Sequence, residues 1–415
     1  MNAKLCMPIL VFTVIFMILL NIYASSESLE QMKIQLKAGD YNLVNPIISL
    51  PCQATLPDNK IVSIFEPKTG KEFPATLRNG EFVCIPEGAL ANTEHTYDVK
   101  VVDKPLEYVP HVQVIPGDKP DTLKVIVDDK LLTVYYYGKE WKKPFLWPLM
   151  SENQVSITRD YPMESEGTPK FAQDHPHHKS FWSAYGDING VNVWEESKET
   201  GCQQVENVSY GSGDAYGWII SNNKWLDKDG NLIVKENREY RFFTTPEKSR
   251  LFDAYVSFVA DENDVVFKDT KEGGIVAARM HPEISSKGII TIANGETGEN
   301  NVWGKPTPWC DYSAEMKDVG WRGLAIFDNP SNLRYPTSWH VRKYGLFGAN
   351  CFGYSYFREK EYNKNLPENG DYTIKKGDTL TFHYRMYIHS GNVKDAQVNE
   401  QARNFQDTLK VDWVK

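Results

Sequence analysis

With 415 residues, 41% hydrophobic and 24% charged, the chain can build two cores and has the balance of a globular protein. A net charge of −9 argues against nucleic acid and anionic membrane as main partners, because both reward clustered Lys and Arg. Aromatic content is 13%, with 11 Trp and 22 Tyr, which suits β-structure or a surface that stacks on flat ligands.

The N-terminus reads as an export signal over residues 1–24. Lys4 supplies the charged start, Pro8 to Leu20 is almost wholly apolar, and Asn21-Ile22-Tyr23-Ala24 ends on a small residue suited to cleavage. A periplasmic or secreted protein follows. A single-pass anchor is the alternative, although the run is shorter than the ~20 residues of a spanning helix. No later segment is long and apolar enough to span as a helix.

Residues 28–115 alternate short apolar stretches, Lys60 to Phe65, Glu81 to Ile85 and Thr96 to Val102, with Pro, Gly and Asn turns. This spacing predicts a small β-sandwich. Cys52 and Cys84 both fall in it; they can pair in an oxidising compartment or stay as buried thiols. No C-x-x-C pair occurs, so a structural zinc site is not expected. Val109-Pro110 and Pro116-Gly117-Asp118-Lys119-Pro120 mark a boundary.

Residues 119–415 also read as β. Leu123 to Val127 and Leu131 to Tyr137 flank Asp128-Asp129-Lys130 in a hairpin pattern. Asp187-Ile188-Asn189-Gly190 and Asp227-Lys228-Asp229-Gly230-Asn231 are further turns. Helical periodicity is clear only from Val393 to Leu409. So long a run of strand and turn predicts a large sandwich or barrel with a short C-terminal helix.

Four constellations can carry chemistry. In Asp174-His175-Pro176-His177-His178-Lys179, three of the nine histidines fall within four positions. Histidine titrates near neutrality and is a common metal ligand. In an extended chain His175 and His177 share a face and His178 takes the other. Pro176 argues against a central paired strand and places the run at a strand start or in a loop. A metal would need further ligands from His281, His340, Asp160, Asp174 or Glu272. The H-x-x-x-H and H-E-x-x-H spacings of zinc hydrolases are missing, so acid–base work without metal or cofactor is the expectation.

In Trp339-His340-Val341-Arg342-Lys343-Tyr344-Gly345, a strand would line up His340, Arg342 and Tyr344 on one face, suited to hydroxyls or a carboxylate. The alternative is an exposed polar face over core Trp339 and Val341. In Lys271-Glu272-Gly273-Gly274 and onward to His281, two glycines allow close approach. Ile275, Ala277, Arg279 and His281 alternate beyond them. Glu272 is a candidate general acid or base, and Lys271 beside it a candidate substrate contact. A turn with a surface ion pair is the alternative. Trp303-Gly304-Lys305 with Trp309-Cys310-Asp311-Tyr312 fits a sugar grip of stacked rings and a carboxylate, or else buried core tryptophans. Arg159-Asp160-Tyr161-Pro162 precedes the histidine run.

In this order these motifs, with Phe327-Asp328-Asn329-Pro330-Ser331-Asn332, Tyr335-Pro336-Thr337-Ser338 and Gly345-Leu346-Phe347-Gly348-Ala349-Asn350, resemble a bacterial family of secreted proteins labelled "methane oxygenase PmoA". The resemblance covers about residues 119–395. It implies carbohydrate chemistry and a galactose-mutarotase-like β-supersandwich. It does not imply a membrane enzyme, because each span needs ~20 apolar residues.

The leading expectation is a carbohydrate-active hydrolase, lyase or epimerase. His177, His178 and His340 exchange protons, and Glu272 is their carboxylate partner. Arg159, Arg279 and Arg342 hold a polar or anionic group, with His175, Lys271 and Tyr344 beside them. Trp303, Trp309 and Asp311 grip the ring. A non-catalytic glycan-binding protein and a metal-dependent enzyme built on the histidines are the alternatives.

Overall fold

The computed structural model describes residues 29–247 and 249–414, so the export signal expected over residues 1–24 lies outside them. Strand formation follows the alternation of apolar and polar residues and the turns that break it. Thr122–Val127 and Lys130–Tyr136 pair across the two-residue turn Asp128-Asp129, both at positive φ, 49° and 62°. Such values match the twist of a tight hairpin. The expected C-terminal helix spans Val398–Gln406 and buries Val398, Ala402 and Phe405 along one stripe. It starts later than the periodicity suggests because Gln397, at φ 51°, breaks the backbone before it.

The N-terminal strands form one seven-stranded sheet running from Ile48–Pro51 at one edge to Lys410–Val414 at the other. Trp413 Nε1 on the last strand donates to the Pro51 carbonyl on the first at 2.9 Å. The sheet therefore curls into a near-barrel around its own core of Ile34, Ile64, Phe82 and Tyr97, rather than stacking as a two-layer sandwich. Two expected boundaries shift. Lys410–Val414 pairs with Lys33–Lys37 and completes the first sheet. Val112–Pro116 pairs with Thr122–Val127 and joins the second. Cys52 and Cys84 are buried free thiols.

The rest of the chain builds two eight-stranded antiparallel sheets and a two-stranded one, Val265–Phe267 with Tyr372–Ile374. One eight-stranded sheet runs in the order Trp339–Val341, Leu346–Ala349, Gly273–Arg279, Phe181–Tyr185, Phe145–Leu146, Lys130–Tyr136, Thr122–Val127, Val112–Pro116. The other centres on Leu232–Phe243, Arg250–Val259 and Thr379–Ser390. They bury their facing sides in a common core, where Phe181 meets Phe252 at 5.3 Å and Tyr135 meets Tyr240 at 6.0 Å between ring centroids. Each fully buried large apolar side chain there contributes about 1.5–3 kcal/mol. This sandwich leaves the outer side of the first eight-stranded sheet free to carry something else.

Candidate active site

That outer side is built by strand register. Trp182 pairs with Ala277, Ala277 with Gly348, and Gly348 with His340. Paired residues of antiparallel strands point to the same side of the sheet, while their neighbours Phe181, Ala278, Phe347 and Trp339 enter the core. A register shift between Trp182 and Ala184 pairs Ala184 with Gly274, which turns Gly274 outward and sends Ile275 inward. Gly274, Ala277 and Gly348 thus make a floor of small residues. The atoms nearest to where a Gly348 Cβ would sit are Ala277 Cβ at 3.3 Å, the Val276 carbonyl at 3.4 Å and Gly274 Cα at 3.6 Å, all in the sheet itself. With strands ~4.8 Å apart, Trp182 and His340 stand about 14 Å from each other across this floor.

At the Trp182 end lies the histidine run. It is a turn, not an extended segment: the His178 N–H donates to the His175 carbonyl at 2.9 Å, and His175 has φ 43°. A non-glycine residue in this region carries strain of order 1–3 kcal/mol and persists where its surroundings hold it. The holder is Arg159. Its buried guanidinium donates to the carbonyls of Ala172, Asp174 and His178 at 2.8 Å, to the His175 carbonyl at 3.0 Å, and to Asp174 Oδ1 at 2.8 Å. Arg159 is therefore the organiser of the turn rather than a contact for substrate.

The turn gathers all three rings. His175 lies 4.8 Å from His178 and parallel to it, His177 lies 4.4 Å from His178, and Tyr344 stacks on His175 at 5.2 Å. Their partners assign the tautomers. His175 Nδ1 meets Asp174 Oδ2 at 2.7 Å. A carboxylate only accepts, so Nδ1 carries a proton, and in the neutral ring the lone pair is at Nε2. His178 Nδ1 meets an Arg279 N–H at 3.1 Å. A guanidinium only donates, so in His178 the lone pair is at Nδ1 and the proton at Nε2. Two neighbouring imidazoles thus present opposite chemistry. Arg279 also donates to Asp174 Oδ1 at 2.5 Å and lies under the Tyr344 ring at 4.6 Å.

Electrostatics reinforce this split. Burial, then the neighbouring His177 and Arg279, hold His178 well below its ordinary pKa, and it stays neutral. Burial and the Lys143 ammonium push His177 down to about 3. Burial works to raise Asp174, but Arg279, His175 and Arg159 outweigh it and keep the carboxyl ionised. Behind His177 sits a group absent from the sequence-based site. Glu196 bridges Lys143 at 3.2 Å and Lys179 at 2.9 Å, and Trp182 and Trp194 pack 5.5 Å apart beside them. Burial brings Lys143 down to about 8 despite Glu196. Trp194-Glu195-Glu196, a large aromatic followed by two acids, was the signal available for it.

At the other end His340 is buried against Trp303 and Phe357, with ring centroids at 6.3 and 6.4 Å. Its Nδ1 has no hydrogen-bond partner among the described residues. Burial and the Arg342 charge push it down to about 3. The expected row of His340, Arg342 and Tyr344 does not form, because the strand ends at Val341 and a hairpin turn follows. Arg342 pairs with Glu299 at 2.9 Å over the Trp303 ring, while Tyr344 crosses to the histidine end. Lys271 and Glu272 form a half-exposed pair at 3.4 Å on the rim. Asp174, His175 and Tyr344 are 37%, 41% and 36% exposed, and with the half-buried His177 they are side chains of the histidine end that solvent reaches.

Two expected sugar contacts lie elsewhere. Trp309 packs in a separate core with Phe327, Tyr387 and Phe405. Asp311, on the second eight-stranded sheet, is fully buried and binds His389 Nε2 at 2.7 Å and the Ser313 hydroxyl at 2.7 Å. His281 caps a short helix by accepting from the Glu283 N–H at 3.2 Å, and Asp160 accepts from Trp147 Nε1 at 3.1 Å. Among the described residues no three His, Cys, Asp or Glu side chains are grouped as a metal would require.

Fold and site together define a mainly-β protein of two stacked sheets with a histidine turn on an outer face. A family model matches residues 122–403, and the chain belongs to that family, a family of unknown function (DUF6807). This corrects the family expected from the motifs. The matched family carries no methane-oxygenase label, and no helix among the described residues is long and apolar enough to cross a membrane. Comparison with curated proteins gives no match. Among solved structures, the chain is similar to an α-mannosidase from Enterococcus faecalis V583, at 9% identity and a TM-score of 0.43, over 92% of this chain and 46% of that one. The chain thus spans less than half of the mannosidase. It is also similar to a galactose 1-epimerase from Lactobacillus acidophilus NCFM, at 6% identity and a TM-score of 0.31, over 68% of this chain and all of that one.

Proposed function

We propose that this protein is a carbohydrate-active enzyme that moves a proton on a sugar, as an epimerase or lyase does. The observation that carries the reading is the pair of oppositely polarised imidazoles, His175 and His178, 4.8 Å apart. His175, oriented through Nδ1 by Asp174, offers the Nε2 lone pair at the solvent-reached end. It takes a proton from a sugar carbon next to a carbonyl. His178 donates its Nε2–H to the oxygen on which the electron pair then rests. A neutral imidazole serves well as such a donor, because it adds no charge of its own to a buried site. Delivery of a proton from water to the opposite face gives an epimer, with His175 releasing its own proton to solvent; departure of the β-substituent with the His175 proton gives an unsaturated product. In both cases the oxygen returns its proton to His178 as the carbonyl re-forms. The floor of Gly274, Ala277 and Gly348 lets a ring lie against the sheet, with Tyr344 beside it. His340, Lys271 and Glu272 border the far side of that floor.

Asp174 is engaged by two guanidinium groups and His175, which leaves Glu272 as the freer acid. Two-carboxylate glycoside hydrolysis is therefore less well served than histidine proton transfer. We infer a galactose-mutarotase-like supersandwich from the two eight-stranded sheets around one core, and export to the periplasm or beyond from the residues before Ala24.

The test is deuterium incorporation into sugars, followed by NMR in D2O over a panel of reducing sugars, keto-sugars and oligosaccharides. Wild type should label or epimerise at least one of them, and His175→Gln should lower that rate by about 10²–10⁴-fold. Wild type inert over the whole panel, or a His175→Gln variant as fast as wild type, would sink the reading.

A further inference from the structure

Resting on the carbohydrate reading, we infer that the sugar carries a carboxylate, as a uronic acid does, bound at the inner wall formed by His178, Trp182, Trp194 and Lys143. Charge is the first reason. Arg159, Arg279, Lys143 and Lys179 are each at most 3% exposed, and Asp174 and Glu196 are the only carboxylates paired with them among the described residues. Four buried cations against two acids leave an excess of two positive charges, in a chain whose net charge is −9. Uncompensated buried charge is costly, and an anionic ligand offsets it.

Hydrogen-bond supply is the second reason. His178 Nε2, Trp182 Nε1 and Trp194 Nε1 are buried and have no partner among the described residues. Their rings lie 5.3–5.5 Å apart in a mutual triangle. With the tautomer assigned by Arg279, all three are N–H donors. A wall of unused donors beside surplus cations suits an acceptor-only group, and an ionised carboxylate is that group. A carboxylate on the sugar carbon next to the one that loses its proton would also accept the electron pair, so the same wall serves binding and chemistry.

Calorimetry with methyl β-D-glucuronide and methyl β-D-glucoside, on the full chain at pH 7 and low salt, tests this. Wild type should bind the glucuronide at least tenfold more tightly. Trp194→Phe, which keeps a ring and removes one N–H, should cut that preference several-fold, and Lys143→Met should do the same. Equal affinity for the two sugars overturns the carboxylate and leaves the carbohydrate reading standing. A preference that Trp194→Phe retains in full also overturns it, and this variant decides alone where Lys143→Met does not fold. Binding of neither sugar overturns both readings.

Discussion

Arg159→Lys should loosen the histidine turn without unfolding the protein. The Arg159 guanidinium makes five hydrogen bonds to the turn, four to backbone carbonyls and one to Asp174. A lysine ammonium has three donors, so at least two of the five bonds are lost. A hydrogen bond from a charged donor contributes about 1.5–3 kcal/mol, giving about 3–6 kcal/mol for two. The turn ends the segment before Phe181–Tyr185 and is not itself a strand, so the loss falls on local opening rather than on the core. Even 2 kcal/mol corresponds to roughly 30-fold in an equilibrium. Hydrogen exchange read by mass spectrometry on peptides from residues 160–180 should therefore speed up at least 30-fold, with peptides from Arg250–Val259 unchanged. Activity should fall with it, because His175 leaves its strained geometry. Unchanged exchange over residues 160–180, or an equal rise over the whole chain, would refute the assignment of Arg159 as the organiser.

Asp311→Asn should destabilise by about 3–5 kcal/mol, since it breaks a buried pair with His389, yet leave KM for any identified substrate unchanged at a permissive temperature. A raised KM in stable protein would put Asp311 back in the site. Gly348→Val should abolish ligand binding by filling the floor while circular dichroism stays native; retained affinity would move the ligand elsewhere. His340 has a folded pKa lowered from 6.5 to about 3. The stability this reflects is present above pH 6.5 and is lost as pH falls towards 3. Urea denaturation at pH 6.5 and 4.5 should show wild type losing up to about 2–3 kcal/mol more than His340→Gln. Parallel losses in both would show that His340 is not the titrating group. Asp328 has the opposite sign. Burial raises its carboxyl from 3.8 to about 7, so its contribution is greatest below pH 3.8 and is lost as pH rises to 7. Asp328→Asn should make stability fall less than wild type over that range, as the same urea titration reads.

Features that depend on near neighbours were legible in the sequence. The Asp128-Asp129 hairpin, the C-terminal helix and the placing of the histidines outside a central strand all follow from residues within a few positions of one another. Errors arose where a distant segment decides. Trp309 and Asp311 sit two residues apart like a sugar grip, but the partner of Asp311 is His389, 78 positions on. Ile275 follows the alternation of Ala277 and Arg279 on paper, and a bulge against Phe181–Tyr185 turns it inward. Lys410–Val414 carries no mark of belonging to the first sheet, because only pairing with Lys33–Lys37 places it there.

The histidine run shows why residue type alone could not settle roles. Its three rings lie within four positions and share one turn, yet each takes its character from a different place. His175 answers to Asp174, its immediate neighbour, and becomes a lone-pair donor at Nε2. His178 answers to Arg279, 101 positions away, and becomes an N–H donor at the same atom. His177 faces the Lys143, Glu196 and Lys179 group and stays neutral by burial and repulsion. One more step follows. Because Asp174 joins Arg159, Arg279 and His175 at once, it couples the shape of the turn to both tautomers. Replacing it would free the His175 ring and unbalance two guanidinium groups together. The acid beside the histidines therefore holds the site's geometry and its proton positions in a single side chain.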